Sequence, residues 1–162
     1  MCHEEASAES SYNVTLWWNI SNRAVQFLGK MNTEQAKEFF KNDKFVNAVG
    51  IEIISAEAGN ATCSLTVEDC HMNAANAVQG GVIYTLADFT FAVAANCFDK
   101  ITVTLSNNIE YVKKAVSGTL FAHSILTDMS KRICFYKTEV VNENGELIAS
   151  LNTVGYISDK SI

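Results

Sequence analysis

The chain has no proline, no Cys-x-x-Cys pair, no cluster of basic residues and no uncharged apolar run long enough to cross a bilayer. Average usage near 5% would give about eight prolines in a chain this long, and nothing in the sequence accounts for their absence. The five cysteines, Cys2, Cys63, Cys70, Cys97 and Cys134, are odd in number and lack the spacing of a zinc site. That fits reduced thiols in a cytoplasm better than a disulfide framework, and no metal is expected. A net charge of −6 argues against a nucleic-acid surface, which needs clustered Lys and Arg to displace counterions. The most apolar stretch, Val78 to Phe98, fails as a membrane span because Asp88 interrupts it. The N-terminus, Met1-Cys2-His3-Glu4-Glu5, is acidic where a secretory signal needs a basic segment and then an apolar one. A cytoplasmic location with no membrane partner is expected, and the glycosylation-like patterns at Asn13, Asn19 and Asn60 read as chance.

What is present suits one globular domain: 162 residues, 48% apolar and 19% charged. Residues 1–30 stand apart. They hold both tryptophans, Trp17 and Trp18, end in Gly29-Lys30, and precede Met31-Asn32-Thr33-Glu34, which reads as a fresh start. We expect an N-terminal extension over 1–30, whose place in the native protein is open, and a domain over 31–162. Asn32 or Thr33 as a cap, followed by Glu34, Gln35, Ala36 and Lys37 and then Phe39 and Phe40, predicts a short amphipathic helix.

From Val49 the period changes to two. Ile51 and Ile53 alternate with Glu52, and Cys63, Leu65 and Val67 alternate with Thr62, Ser64 and Thr66, so two half-buried strands flank a Gly59-Asn60 turn. After a central helix, Ile101 to Lys113, Thr119 to Thr127, Ile133 to Asn142 and Leu147 to Ile157 read as four more strands. They are separated by Ser117-Gly118, Asp128-Met129-Ser130 and Asn144-Gly145. Consecutive hairpins predict an antiparallel sheet, and Asn-Gly predicts a turn in which both residues take positive φ. The class is α+β, with about six strands wrapped around one long helix, the arrangement that covers a helix apolar on nearly every side. Residual apolar surface and open sheet edges favour a second copy.

Asp88 falls midway along that helix, read as Gly80 to Phe98. An ionised carboxylate buried without partners is expensive, so Asp88 must be hydrogen-bonded, protonated, or facing a wet cavity. The last would be an active site. Gly80 and Gly81 at the helix N-terminus would offer unsatisfied N–H groups and close approach to the backbone. Eight residues of helix separate Gly80 from Asp88 by roughly 12 Å, whereas one reacting carbonyl must lie within about 3–3.5 Å of both donor and attacker. One copy therefore cannot readily supply both groups. His71 beside Cys70 is a poor nucleophilic pair because neighbours on an extended chain point opposite ways. His123 reads as a strand histidine, and Tyr84, Phe89, Phe91 and Phe98 read as core sooner than as an acyl tunnel.

Asn73, seven residues to Gly80, eight more to Asp88, and Gly-Gly opening an Ala-rich helix together resemble the hotdog-fold acyl-CoA thioesterases of the PaaI-like, phenylacetate-degradation group. The resemblance spans roughly Phe45 to Ile157. Family members commonly carry His-Gly-Gly where this chain has Gln79-Gly80-Gly81. They also carry Pro after a Tyr-x-(Lys/Arg) where it reads Tyr111-Val112-Lys113-Lys114-Ala115. The resemblance implies a hotdog thioesterase domain acting on a small or medium acyl- or aryl-CoA, with coenzyme A as part of the substrate and no other cofactor. It implies catalytic roles for Asp88 as nucleophile or general base and for Gly80 as carbonyl polariser. Asn73, Gln79 and Thr104 would position the reactants, with Ser106 expected on the same strand face as Thr104. Gly81, Tyr111, Lys113 and Lys114 would bind substrate, the lysines at the coenzyme A phosphates. It further implies a site shared across a homodimer; further assembly to a homotetramer is expected, although the sequence does not distinguish a dimer from a tetramer. Gln79 cannot shuttle a proton as imidazole does, which keeps a non-hydrolytic acyl-CoA-binding hotdog protein as the alternative.

Overall fold

The structure is a computed structural model that describes residues 31–162. The expected extension over 1–30, with Cys2, Asn13, Trp17, Trp18 and Asn19, lies outside the described residues. Helix α1, Thr33–Phe40, begins at a capping box: the Asn32 side chain accepts from the Gln35 amide, and the Gln35 side chain accepts from the Asn32 amide, both at 3.0 Å. A second helix, α2, Lys44–Val49, is too short to show a period in sequence. Its signals are its ends, Asp43 accepting from the Phe45 and Val46 amides and Gly50 closing it in the left-handed region.

Strands β1, Ile51–Glu57, and β2, Asn60–Thr66, form the expected hairpin. The central helix α3, Gly80–Asn96, is followed by β3, Lys100–Tyr111, β4, Thr119–Met129, β5, Ile133–Asn142, and β6, Leu147–Ser161. All pairings are antiparallel, and the sheet order is β1-β2-β4-β5-β6-β3. One expectation needs correcting here: Ser117-Gly118 closes no hairpin. β3 pairs with β6 at the far edge, while β4 inserts between β2 and β5. The chain between β3 and β4 therefore crosses the sheet, which period-two alternation does not reveal. The Asn144-Gly145 turn also differs from expectation. Only Gly145 takes positive φ, and the Gly145 amide donates to the Asn142 carbonyl at 2.9 Å, the pattern of a three-residue hairpin loop ending in a left-handed glycine.

The sheet wraps α3 as the hotdog arrangement requires. Leu86, Phe91, Val93 and Ala94 of the helix are fully buried together with Leu65, Leu120, Val140 and Leu151 of the strands. Phe91 meets Tyr136 edge to face at 5.0 Å. Phe89 and Phe98 are buried too, so these aromatics are core. Enclosure is nevertheless incomplete, which corrects the all-round reading of α3. Gly81, Tyr84, Thr85, Asp88 and Ala92, spaced three and four apart, remain partly open along one stripe. Beside that stripe runs β3, an edge strand exposed over most of its length, including Val103 and Leu105.

Candidate active site

Asp88 is half-buried on the open stripe of α3, and one of its oxygens is doubly held. Oδ1 accepts from the Thr104 hydroxyl at 3.1 Å and from the Asn107 side-chain amide at 2.7 Å. The same Asn107 nitrogen donates to the Tyr84 hydroxyl at 2.7 Å, and the Asn107 oxygen accepts from the buried Thr153 hydroxyl at 2.6 Å. Oδ2 has no hydrogen-bond partner among the described residues. The carboxylate is thus anchored at one end and unengaged at the other.

Thr104 and Asn107 are three residues apart, a separation that places side chains on opposite faces of a regular strand. A β-bulge reconciles them. Opposite β6, Thr104 faces Gly155 and Ser106 faces Val154, so Leu105 is the extra residue and the alternation reverses past it. Ser106, expected on the face of Thr104, yields that face to Asn107. Sequence reading therefore missed Asn107, and with it Tyr84 and Thr153, because no residue at Leu105 marks the bulge.

At the N-terminus of α3, Gln79 is the N-cap, and its side-chain oxygen accepts from the Gly81 amide. Its backbone amide donates to the His71 carbonyl at 2.8 Å. The Gly80 amide has no acceptor among the described residues, whereas the Gly80 carbonyl accepts from the Tyr111 hydroxyl at 2.9 Å. Tyr111 lies over Gly80 so closely that a Cβ there would meet its ring at 3.3 Å. Partial burial raises the Tyr111 phenol above its ordinary range, and Tyr84 adds to the shift.

Asn73 holds the loop ahead of the helix: its side-chain oxygen accepts from the Ala75 and Ala77 amides at 2.8 and 3.2 Å. That leaves its NH2 group as the end available to a substrate or water. Lys113 pairs with Glu146 at 2.9 Å, and this bond, with help from Asn142, holds Glu146 below the usual carboxylate range. Lys114 is exposed and enters no ion pair among the described residues.

The other candidate chemistries resolve to structure. His71 is buried. Its Nδ1 accepts from the Glu68 amide at 2.9 Å, so Nε2 carries the proton and donates to the Val49 carbonyl at 2.9 Å. His123 is exposed on β4 and bonds the Thr62 hydroxyl at 3.0 Å. Burial pushes the Cys63 thiol up to about 12, partly offset by a hydrogen bond with Thr90, which makes it a poor nucleophile. Among the described residues no cluster of His, Cys, Asp or Glu could hold a metal ion.

Within this framework, residues 75–149 match the thioesterase superfamily. The chain is 30% identical to the acyl-coenzyme A thioesterase PaaI of Escherichia coli K12, over 72% of this chain and 84% of that protein. It is also 30% identical to the human acyl-coenzyme A thioesterase 13, over 72% of this chain and 86% of that protein. Among solved structures it is similar to the E. coli PaaI protein from the phenylacetic acid degradation operon. The TM-score there is 0.76 and the identity 27%, covering 88% of this chain and 99% of that one.

Proposed function

This chain belongs to the thioesterase superfamily, in its PaaI-like hotdog group, and from that premise we propose that it hydrolyses a small or medium acyl- or aryl-coenzyme A in a site shared by two copies. The observation that carries the reading is Asp88. A carboxylate with one oxygen fixed by Thr104 and Asn107 and the other unengaged, on the open stripe of α3, is arranged to act on something outside its own chain.

In this reading the Gly80 amide receives the carbonyl oxygen as it gains charge, aided by the positive end of the helix. Asp88 of the other copy takes the proton from the attacking water and passes it to the departing sulfur, or attacks the carbonyl itself to give an acyl-Asp88 anhydride that water then cleaves. In the second case that water's proton balances the released thiolate; in either case the tetrahedral adduct collapses with loss of coenzyme A. Asn73 offers its free NH2 end to water or substrate. Gln79, locked onto the Gly81 amide, shapes the helix tip and leaves Gly80 as the donor there. Tyr111 and Gly81 border the carbonyl site. Lys114, and Lys113 on exchanging Glu146 for phosphate, meet the coenzyme A phosphates.

The second copy would pair along β3, where Val103 and Leu105 are half-exposed on an unpaired edge. Exposed Ile125 and Phe135 on the sheet offer a surface for pairing dimers into a tetramer. The free cysteines Cys63, Cys70, Cys97 and Cys134 suit a cytoplasmic setting. No helix among the described residues is long and apolar enough to cross a membrane.

Thiol release from a panel of short-chain, long-chain and aryl coenzyme A thioesters tests the reading. Turnover is expected for at least one class, and Asp88→Asn is expected to lower kcat by about 10²–10⁴-fold with the melting temperature retained. Variant activity within about tenfold of the parent would remove Asp88 from the chemistry. Gln79, whose amide cannot shuttle a proton as imidazole does, supports a second reading, a binding protein without turnover. Stabilisation by coenzyme A in a thermal shift, with no thiol release from any thioester, would select it.

A further inference from the structure

We propose that Asn107 is a positioning residue that fixes the reactive geometry of Asp88, with Thr153 and Tyr84 setting its own orientation; this rests on the reading of Asp88 as the attacking group or base. A side-chain amide has two N–H groups and one carbonyl. In Asn107 all are committed: both hydrogens are directed, to Asp88 Oδ1 and to the Tyr84 hydroxyl, and the oxygen takes the Thr153 hydroxyl. The amide has only one workable orientation. Flipped, its oxygen would face the carboxylate, acceptor against acceptor. Thr153 is 2% exposed, so its hydroxyl holds Asn107 from within the core.

The consequence falls on which oxygen of Asp88 reacts. Oδ1 receives two donors and is held at the β3 side, so Oδ2 is the oxygen presented to the open stripe. Thr104 alone, at 3.1 Å, would leave the carboxylate able to rotate about its Cβ–Cγ bond; the second donor, shorter and from the opposite side of the Leu105 bulge, removes that freedom. Tyr84 has its acceptor role filled by Asn107 and retains its proton to give to water or substrate beside Asp88.

The test compares Asn107→Leu, Asn107→Asp and Thr153→Val with Asp88→Asn by steady-state thiol release and thermal melting. Asn107→Leu keeps the shape and removes both donors; kcat is expected to fall about 10–100-fold with KM within about twofold, because Asn107 touches the carboxylate and not the substrate. Asn107→Asp keeps the shape still better but sets a second carboxylate against the first. It is expected to lose at least as much kcat as Asn107→Leu, an order that a packing role would reverse. Thr153→Val loosens Asn107 without touching Asp88 and is expected to lower kcat about 3–10-fold, which keeps the proposal open to refutation if the Asn107 variants fail to fold. Asp88→Asn inactive while Asn107→Leu or Thr153→Val stays within about twofold in kcat would overturn the positioning role alone. An active Asp88→Asn would overturn the reading of Asp88 and the positioning role together.

Discussion

At Gly80 only one of the two backbone groups is engaged by the described residues. The carbonyl accepts the Tyr111 hydroxyl, and the amide has no partner among the described residues. Proline separates the two, because it removes an N–H without disturbing a helix start. Gly80 is the first helical residue, and Gln79 already has φ −63° and ψ 132°, the conformation that precedes proline. Gly80→Pro is therefore expected to lower kcat about 10²–10³-fold, as loss of an oxyanion donor does. Gly80→Ala keeps the N–H and adds only crowding against the Tyr111 ring, 3.3 Å from the new Cβ, so a change of a few-fold is expected. Thiol-release kinetics on both variants, with melting temperatures alongside, decide it, since equal losses would assign the effect to crowding. At this scale Asp88 and Gly80 stand out in the sequence itself, because a carboxylate in an apolar helix and paired glycines at its tip are chemically conspicuous, while Thr104 enters only through the family resemblance. Asn107, Tyr84 and Thr153 do not stand out, since each is an ordinary residue of its element until the fold brings their polar ends together.

Among the elements, β3 and β6 supply side chains around Asp88: Thr104 and Asn107 from β3, and Thr153 from β6. Alternation located both strands and the hairpins β1-β2 and β5-β6. It could not place β3 at the edge beside β6, because strand order depends on which edges remain after β4 enters, a property of the whole sheet. Nor could it register the bulge at Leu105, which inverts the faces of the site-bearing half of β3. Directly across from Thr104 lies Gly155 of β6, and Phe91 of α3 packs against its backbone here. A Cβ on Gly155 would meet Cys134 Sγ at 2.7 Å, Phe91 Cζ at 2.9 Å and Thr102 Cγ2 at 3.1 Å, all buried and without room to yield. Gly155→Ala is expected to destabilise the fold by about 1–3 kcal/mol, the usual penalty for overpacking a filled core. A urea titration with unchanged slope and a lower midpoint is the expected record, and an unchanged midpoint would mean that α3 rides more loosely on the sheet than its contacts indicate.

For the whole molecule the proposed site calls for two copies, one supplying Gly80 and the other Asp88. Gly80 and Asp88 are eight residues apart on one helix, roughly 12 Å, so a carbonyl served by both groups at reacting distance would draw them from two chains. If one copy gives the amide and the other the carboxylate, two inactive variants hold complementary halves. A dimer of one Asp88→Asn chain and one Gly80→Pro chain contains one site with both defects and one with neither. Random reassortment makes half the dimers mixed, and one site in two within them is intact, so co-refolding equal amounts is expected to restore about a quarter of parental activity. Each variant refolded alone should show nearly none. A site built within one chain predicts no recovery beyond the sum of the two, whatever the dimer. The measurement therefore separates a shared site from mere association, and its readout rises where every single substitution makes activity fall.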